Sequence, residues 1–218
     1  MKRILGLTVA ILSLLAATPV AAATSTQTAT FTVQPGALSL ANITGITDQS
    51  NIVALNGTAE TVDMQWQSSV GNNLLSVTDA TGSGSGWHVT IGASQLTEVT
   101  PPGGWASGTS ALTLPLDSTV VAVSGAQTAA GSGATQVSGT GGPSFTSNGS
   151  MAIDEGAIPV TLVDTQPGYG MGQYLFSFST YPIVVNLQPS STFVDGKNYP
   201  GQPTPYATTI TFTVVSGP

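Results

Sequence analysis

His88 is the only histidine in the chain, so neither a histidine metal cluster nor a histidine pair can be built. A Ser-His-acid triad would need this one imidazole together with a nucleophile and an orienting acid. Ser and Thr are too numerous here for any one of them to stand out as that nucleophile. Carboxylate chemistry is equally thin. Asp154-Glu155 is the only adjacent acidic pair, and in an extended chain the two side chains point to opposite faces. A glycosidase needs two carboxylates facing one bond, about 5 to 9.5 Å apart, so this pair reads as a solvated turn. Calcium is the one metal to consider, through Asp79 before a Gly-Ser loop or through Asp195-Gly196. Neither site has the spaced acids of a calcium loop, and no metal is expected. Gly82, Gly84 and Gly86 are no phosphate loop either, because the spacing, the lysine and the following helix of that motif are missing. The sequence therefore predicts no catalytic residue and no cofactor. What remains is contact chemistry. Trp105 lies in Pro101-Pro102-Gly103-Gly104-Trp105-Ala106-Ser107-Gly108, where prolines and glycines exclude a central strand. An exposed indole there can stack on the apolar face of a sugar, or it can fold back as a lid over the end of the core. His88 and Tyr169 join Trp105 as binding candidates.

These residues are positioned by strands, and residues 74–93 give the clearest reading. Leu75 and Val77 alternate with Ser76 and Thr78, and Trp87, Val89 and Ile91 alternate with His88 and Thr90. Each arm has the period of a strand with one buried face, so the stretch reads as a hairpin joined by a Gly-Ser loop over residues 80–86. The run Leu75-Ser76-Val77-Thr78-Asp79, then Gly82-Ser83-Gly84 and Gly86-Trp87-His88-Val89-Thr90-Ile91, resembles the first signature of the WxL family of bacterial cell-surface domains. That signature is LxVxD, a Gly-rich turn, then GW and a valine- or threonine-rich strand. Val89 stands where the family's Trp-x-Leu has its leucine. The best match to the second signature is residues 206–214, with Phe212 for Trp and Val214 for Leu. The resemblance implies structural roles for Trp87, Val89, Phe212, Val214, Gly82, Gly84 and Gly86. It also implies non-catalytic attachment to the cell wall, through peptidoglycan or another wall glycan.

The rest of the chain repeats the period of two. Ala29, Phe31 and Val33 alternate with threonines over residues 28–33, which predicts a first strand, and Pro35-Gly36 breaks it before Leu38 and Leu40. Val62, Met64 and Trp66 share one face, so Trp66 is expected in the core. Leu112, Leu114 and Leu116 alternate, and residues 120–123 follow. Residues 124–150 hold almost only Gly, Ala, Ser, Thr and Gln, with Val137 and Phe145 alone to bury, and read as a long surface excursion with short edge pairing. Strands resume at 158–163, at Tyr174, Phe176 and Phe178, at Ile183, Val185 and Leu187, and, after a Pro- and Gly-rich crossing over 189–205, at 206–214. No useful helical period occurs beyond the N-terminal apolar run. The expected fold is all-β: one antiparallel β-sandwich, Ig-like or barrel-like, with long Gly/Ser/Thr-rich loops.

Composition sets the compartment. Met1-Lys2-Arg3, an apolar run from Ile4 to Ala17 and the small-residue end Ala21-Ala22-Ala23 read as a signal peptide over residues 1–23, too short in its apolar part to span about 30 Å of hydrocarbon. The domain then covers residues 24–218, with no membrane span. Once Lys2 and Arg3 have left, one basic residue, Lys197, faces ten acidic ones, a net charge of −9. Nucleic acid is excluded as a partner, because phosphates need Lys and Arg. The absence of Cys suits export without disulfides by a single-membrane bacterium. Residues 215–218 hold no sorting motif, apolar tail or lipidation Cys, so non-covalent retention at the cell surface is expected, with other surface proteins as further partners. The rival expectation is a structural subunit of a surface layer or pilus-like fibre, assembling through edge strands with residues 28–33 as the exchangeable piece.

Overall fold

The computed structural model describes residues 30–48, 53–123, 127–130, 142–147, 149–154, 158–179, 181–190, 198–200 and 202–217. The expected signal peptide, Glu155 and Asp195-Gly196 lie outside these residues. The chain divides into two units, 1–34 and 35–218. Of the first, residues 30–34 are described. They form no strand, and Phe31 and Val33 are 86% and 77% exposed. The expected first strand is corrected on that point; Thr28 and Ala29 lie outside the described residues. Alternation defines a face, but a strand also needs a hydrogen-bonded neighbour. Pairing in this region begins only after Pro35, which has no N–H to give, with Gly36 N donating to Ala80 O at 2.8 Å.

The second unit is all-β. One four-stranded antiparallel sheet is ordered β1 (Leu38–Leu40), β5 (Leu74–Asp79), β13 (Gly172–Ser177), β9 (Gln127–Ala130). Another is ordered β10 (Ser144–Phe145), β12 (Val160–Thr165), β6 (Trp87–Ala93), β16 (Ile210–Ser216). Their inner faces pack together as the main core. Leu75, Val77, Tyr174 and Phe176 come from the first layer, and Trp87, Val89, Ile91, Leu162 and Val163 from the second. β5 and β6 thus belong to opposite layers. The 74–93 stretch is a corner that crosses the sandwich, where the sequence predicts a paired hairpin.

A third sheet runs β11 (Ser150–Ala152), β8 (Thr119–Ala122), β14 (Ile183–Leu187), β3 (Glu60–Ser68), β2 (Ile43–Asp48), with β4 (Gly71–Asn72) also on β3. It carries a smaller core of Leu96, Leu114, Val185 and Leu187, against which Val62, Met64 and Tyr206 pack. A two-stranded ribbon of β7 (Thr97–Glu98) and β15 (Tyr206–Ala207) completes the described strands. The sheets do not close, so the barrel-like alternative gives way to stacked layers.

Trp66 is fully buried, as its parity predicts, and meets Phe178 and Phe212 edge-on with ring centroids 4.7 and 5.2 Å apart. The Leu112–Leu116 alternation yields only a single bridge, Thr113 to Thr97, because Pro115 and the positive φ of Asp117 turn the chain before a strand can extend. Within the 124–150 excursion, β9 pairs with β13 and β10 with β12. Phe145 packs against the core beside Phe176 and Phe178, whereas Val137 lies outside the described residues.

Candidate binding surfaces

The two stretches that carry the family resemblance are hydrogen-bonded neighbours. β6 and β16 run antiparallel with Val89 opposite Val214, Ile91 opposite Phe212 and Trp87 opposite Ser216. Trp87 is fully buried against Tyr174 and Phe176, with centroids 6.0 and 6.1 Å away, and its indole Nε1 donates to Gly170 O at 2.9 Å. Trp87 and Val89 are buried in the sandwich, and Phe212 and Val214 are half-buried on the strand beside them.

The Gly-Ser loop is held by its own hydroxyls. Asp79 Oδ1 accepts from Thr81 N at 2.9 Å and from Thr81 Oγ1 at 2.6 Å. Thr81 Oγ1 then meets Ser83 Oγ at 2.9 Å, Ser83 Oγ meets Ser85 Oγ at 3.0 Å, and Ser85 Oγ meets Ser216 Oγ at 2.9 Å. Glycines at 82, 84 and 86 take φ of +67°, +64° and +76°, a region open to glycine at no steric cost. Alternating with them, the hydroxyls fall on one side and form a ladder that ties the loop to the end of β16. Gly86 is needed for space as well, since a Cβ there would lie 2.5 Å from Thr165 O. The spacing Asp79, Thr81, Ser83, Ser85 is visible in the sequence; the reading of the loop as glycines alone passes over it. Asp79, a calcium candidate, is buried and serves as the turn acceptor that starts this ladder.

His88 and Tyr169 sit at this same end. His88 is half-buried, and its Nδ1 lies 2.8 Å from Gly217 O, so the ring pins the chain beyond β16. Tyr169 is half-buried in the turn after β12, where Tyr169 N donates to Gln166 O at 3.1 Å and Gly168 N donates to Gly84 O at 2.7 Å.

Trp105 belongs to the other end. Its loop follows the β7–β15 ribbon, past Ala93, and the length of β6 separates the two ends by about 20 Å. The three candidates therefore form no single site. The Trp105 loop is built rather than loose. Gly104 N donates to Pro101 O at 2.9 Å, Ala106 N to Asn198 Oδ1 at 2.9 Å, and Thr109 Oγ1 to Ala106 O and Asn198 Oδ1 at 2.6 and 3.1 Å. At its base, Glu98 N donates to Leu112 O at 2.8 Å and the Glu98 carboxylate accepts from Leu112 N at 2.9 Å. Glu98 is 3% exposed, and its second oxygen is buried without a partner. Trp105 itself is half-buried.

Next to that base lies a shallow groove of about 310 Å³ lined by Ser94, Gln95, Thr97, Ala207, Thr208 and Thr209. Its lining is uncharged, and most of its polar groups bond within the chain. Gln95 Nε2 donates to Leu114 O at 2.6 Å, Thr97 Oγ1 to Gln95 O at 3.1 Å, and Thr209 N to Ser94 Oγ at 2.9 Å. Sequence reasoning does not anticipate the groove, because it forms where two segments far apart in the chain, 94–97 and 207–209, meet. Elsewhere, the expectation of a solvated turn at Asp154-Glu155 is corrected for Asp154, which is fully buried with its Oδ2 accepting from Thr119 N at 2.9 Å. Among the described residues, no group of three or more His, Cys, Asp or Glu converges, and no helix is long and apolar enough to cross a membrane. No family model, no curated protein and no solved structure matches the chain.

Proposed function

We propose that this is a secreted, non-catalytic protein of the WxL type that binds the bacterial cell wall, with peptidoglycan as the ligand. The observation that carries the reading is the pairing of β6 with β16, which sets the two signature-like stretches side by side, Val89 against Val214. Binding falls to loops at an end of the sandwich. The Trp105 end is the first choice, because it combines a half-buried indole on a braced loop with an uncharged groove of hydroxyl and amide groups, the chemistry that neutral sugars offer in return. The one imidazole is tied to Gly217 O, which favours a structural role for it over catalysis.

The test is co-sedimentation of the mature protein with purified peptidoglycan and with walls stripped of accessory polymers. Pelleting with both is expected. Protein left in the supernatant in both cases would remove the proposal, and fibres or sheets of the purified protein under the electron microscope would favour a surface-layer or pilus-like subunit instead.

A further inference from the structure

An unpaired strand edge is a template for another chain, and proteins blunt such edges with short strands, bulges, prolines or charges. Among the described residues, five of the six outer edges of the three larger sheets are blunted in this way. β10 has two residues, β1 and β11 have three each and β9 has four. β2 has six, but it shifts register between Ile43 and Gly45 and ends on an aspartate. The sixth edge is β16, and it has none of these devices. It runs seven residues, Ile-Thr-Phe-Thr-Val-Val-Ser, without charge, proline or bulge, in unbroken register with β6 from Ile210 opposite Ala93 to Ser216 opposite Trp87. Among the described residues β6 is its only hydrogen-bonded strand neighbour, and β1 lies close to it from the other layer. Thr211, Thr213 and Val215 stand exposed on its outer face, Val215 at 40%.

We propose that this edge is a self-association surface, on which β16 of a second copy pairs antiparallel about a two-fold axis at Thr213. The strand supplies its own complement. Reversed about Thr213, Phe212 falls opposite Val214, Thr211 opposite Val215 and Ile210 opposite Ser216. Opposed residues in an antiparallel pair share a face, so the half-buried Ile210, Phe212 and Val214 remain on the core side of the joined sheet. Hydrogen bonding across the edge satisfies a row of backbone groups without setting like charges face to face in the seam, because β16 holds no acidic residue. A two-fold contact of this kind is closed and stops at the dimer.

The absence of cysteine from the natural chain permits a direct test on the mature protein. Residues facing each other across an antiparallel pair have Cα atoms about 4.5–5.5 Å apart, within the range of a disulfide. Thr213→Cys should cross-link into a dimer under mild oxidation. Thr211→Cys, whose counterpart is Val215, should cross-link far less. Unmodified protein should sediment as a dimer in a concentration-dependent way. Val215→Lys, which places a charge on the edge and leaves the core untouched, should weaken that association by about tenfold or more with the melting temperature kept. A wild-type protein that sediments as a monomer up to its solubility limit would overturn the proposal. So would equal cross-linking at 211 and 213, or open fibres in place of closed dimers, since fibres would require a donor strand other than β16.

Discussion

Two tryptophans that a motif search would treat alike have opposite surroundings. Trp87 is fully enclosed and Trp105 half-buried on a loop. Truncating a buried aromatic costs about 3–5 kcal/mol, a large share of the 5–15 kcal/mol that commonly holds a domain together. Trp87→Ala should therefore lower the melting temperature steeply and lose wall binding only through the fold. Trp105→Ala should keep its melting temperature close to wild type while losing binding; an early-melting protein, or one that still pellets fully with the wall, would take Trp105 out of the site. The parity of Trp87 with Val89 and Ile91 made its burial legible in the sequence. The partner of its indole was not. Gly170 holds φ at +83°, and a Cβ there would lie 2.7 Å from Trp87 Nε1 and 3.0 Å from Thr165 Oγ1. Gly170→Ala should thus destabilise markedly more than Gly82→Ala, where φ is also positive but no atom lies within 4 Å and the cost is the backbone's alone, about 1–2 kcal/mol. Thermal unfolding of the two variants side by side measures the difference.

Elements were legible where a period of two met a partner close in sequence or strong in hydrophobic content, as in β3, β5, β6, β13, β14 and β16. They were illegible where pairing depends on distant chain. Residues 30–33 alternate as well as any strand and yet form none, while β9 and β10 form from Ala-, Thr- and Ser-rich segments because β13 and β12 offer edges to them. The Trp105 loop shows the same limit. Pro and Gly around Trp105 announced a loop, but its bracing comes from Glu98 at the base and Asn198 across the top, contacts that no local pattern encodes. The loop should respond to its base as a unit. Glu98→Ala removes the acceptor of Leu112 N–H; a fully buried donor left unsatisfied costs about 1–3 kcal/mol, and the half-buried Leu112 puts this one toward the lower end. The expected outcome is a moderate fall in melting temperature together with weaker peptidoglycan pelleting, although Trp105 is untouched. Unchanged pelleting at a temperature where the variant is fully folded would show that the bracing of the loop does not matter for binding.

At the scale of the molecule the governing fact is charge. With the proposed signal peptide removed, one lysine against ten carboxylates cannot neutralise the phosphates of a polyanionic wall polymer, and the chain buries Asp79, Glu98 and Asp154 on backbone N–H groups and hydroxyls in place of basic partners. The wall attachment proposed above would then rest on hydrogen bonding and stacking, or on a cation that bridges two anions. These alternatives respond to salt in distinguishable ways. Screening shortens to about 8 Å at physiological ionic strength, so attraction between opposite charges weakens with added salt, while repulsion between like charges weakens as well. A protein held by neutral contacts against net repulsion should pellet with peptidoglycan equally well, or better, as salt rises from low to physiological. Walls still carrying their anionic polymers should show the larger gain, because they impose the larger repulsion. A cation bridge would give a different pattern, release by a chelator with little effect of monovalent salt. If pelleting instead collapses between low and physiological salt, the contact is an attraction between opposite charges, and a neutral glycan held at the Trp105 end is the wrong description of it.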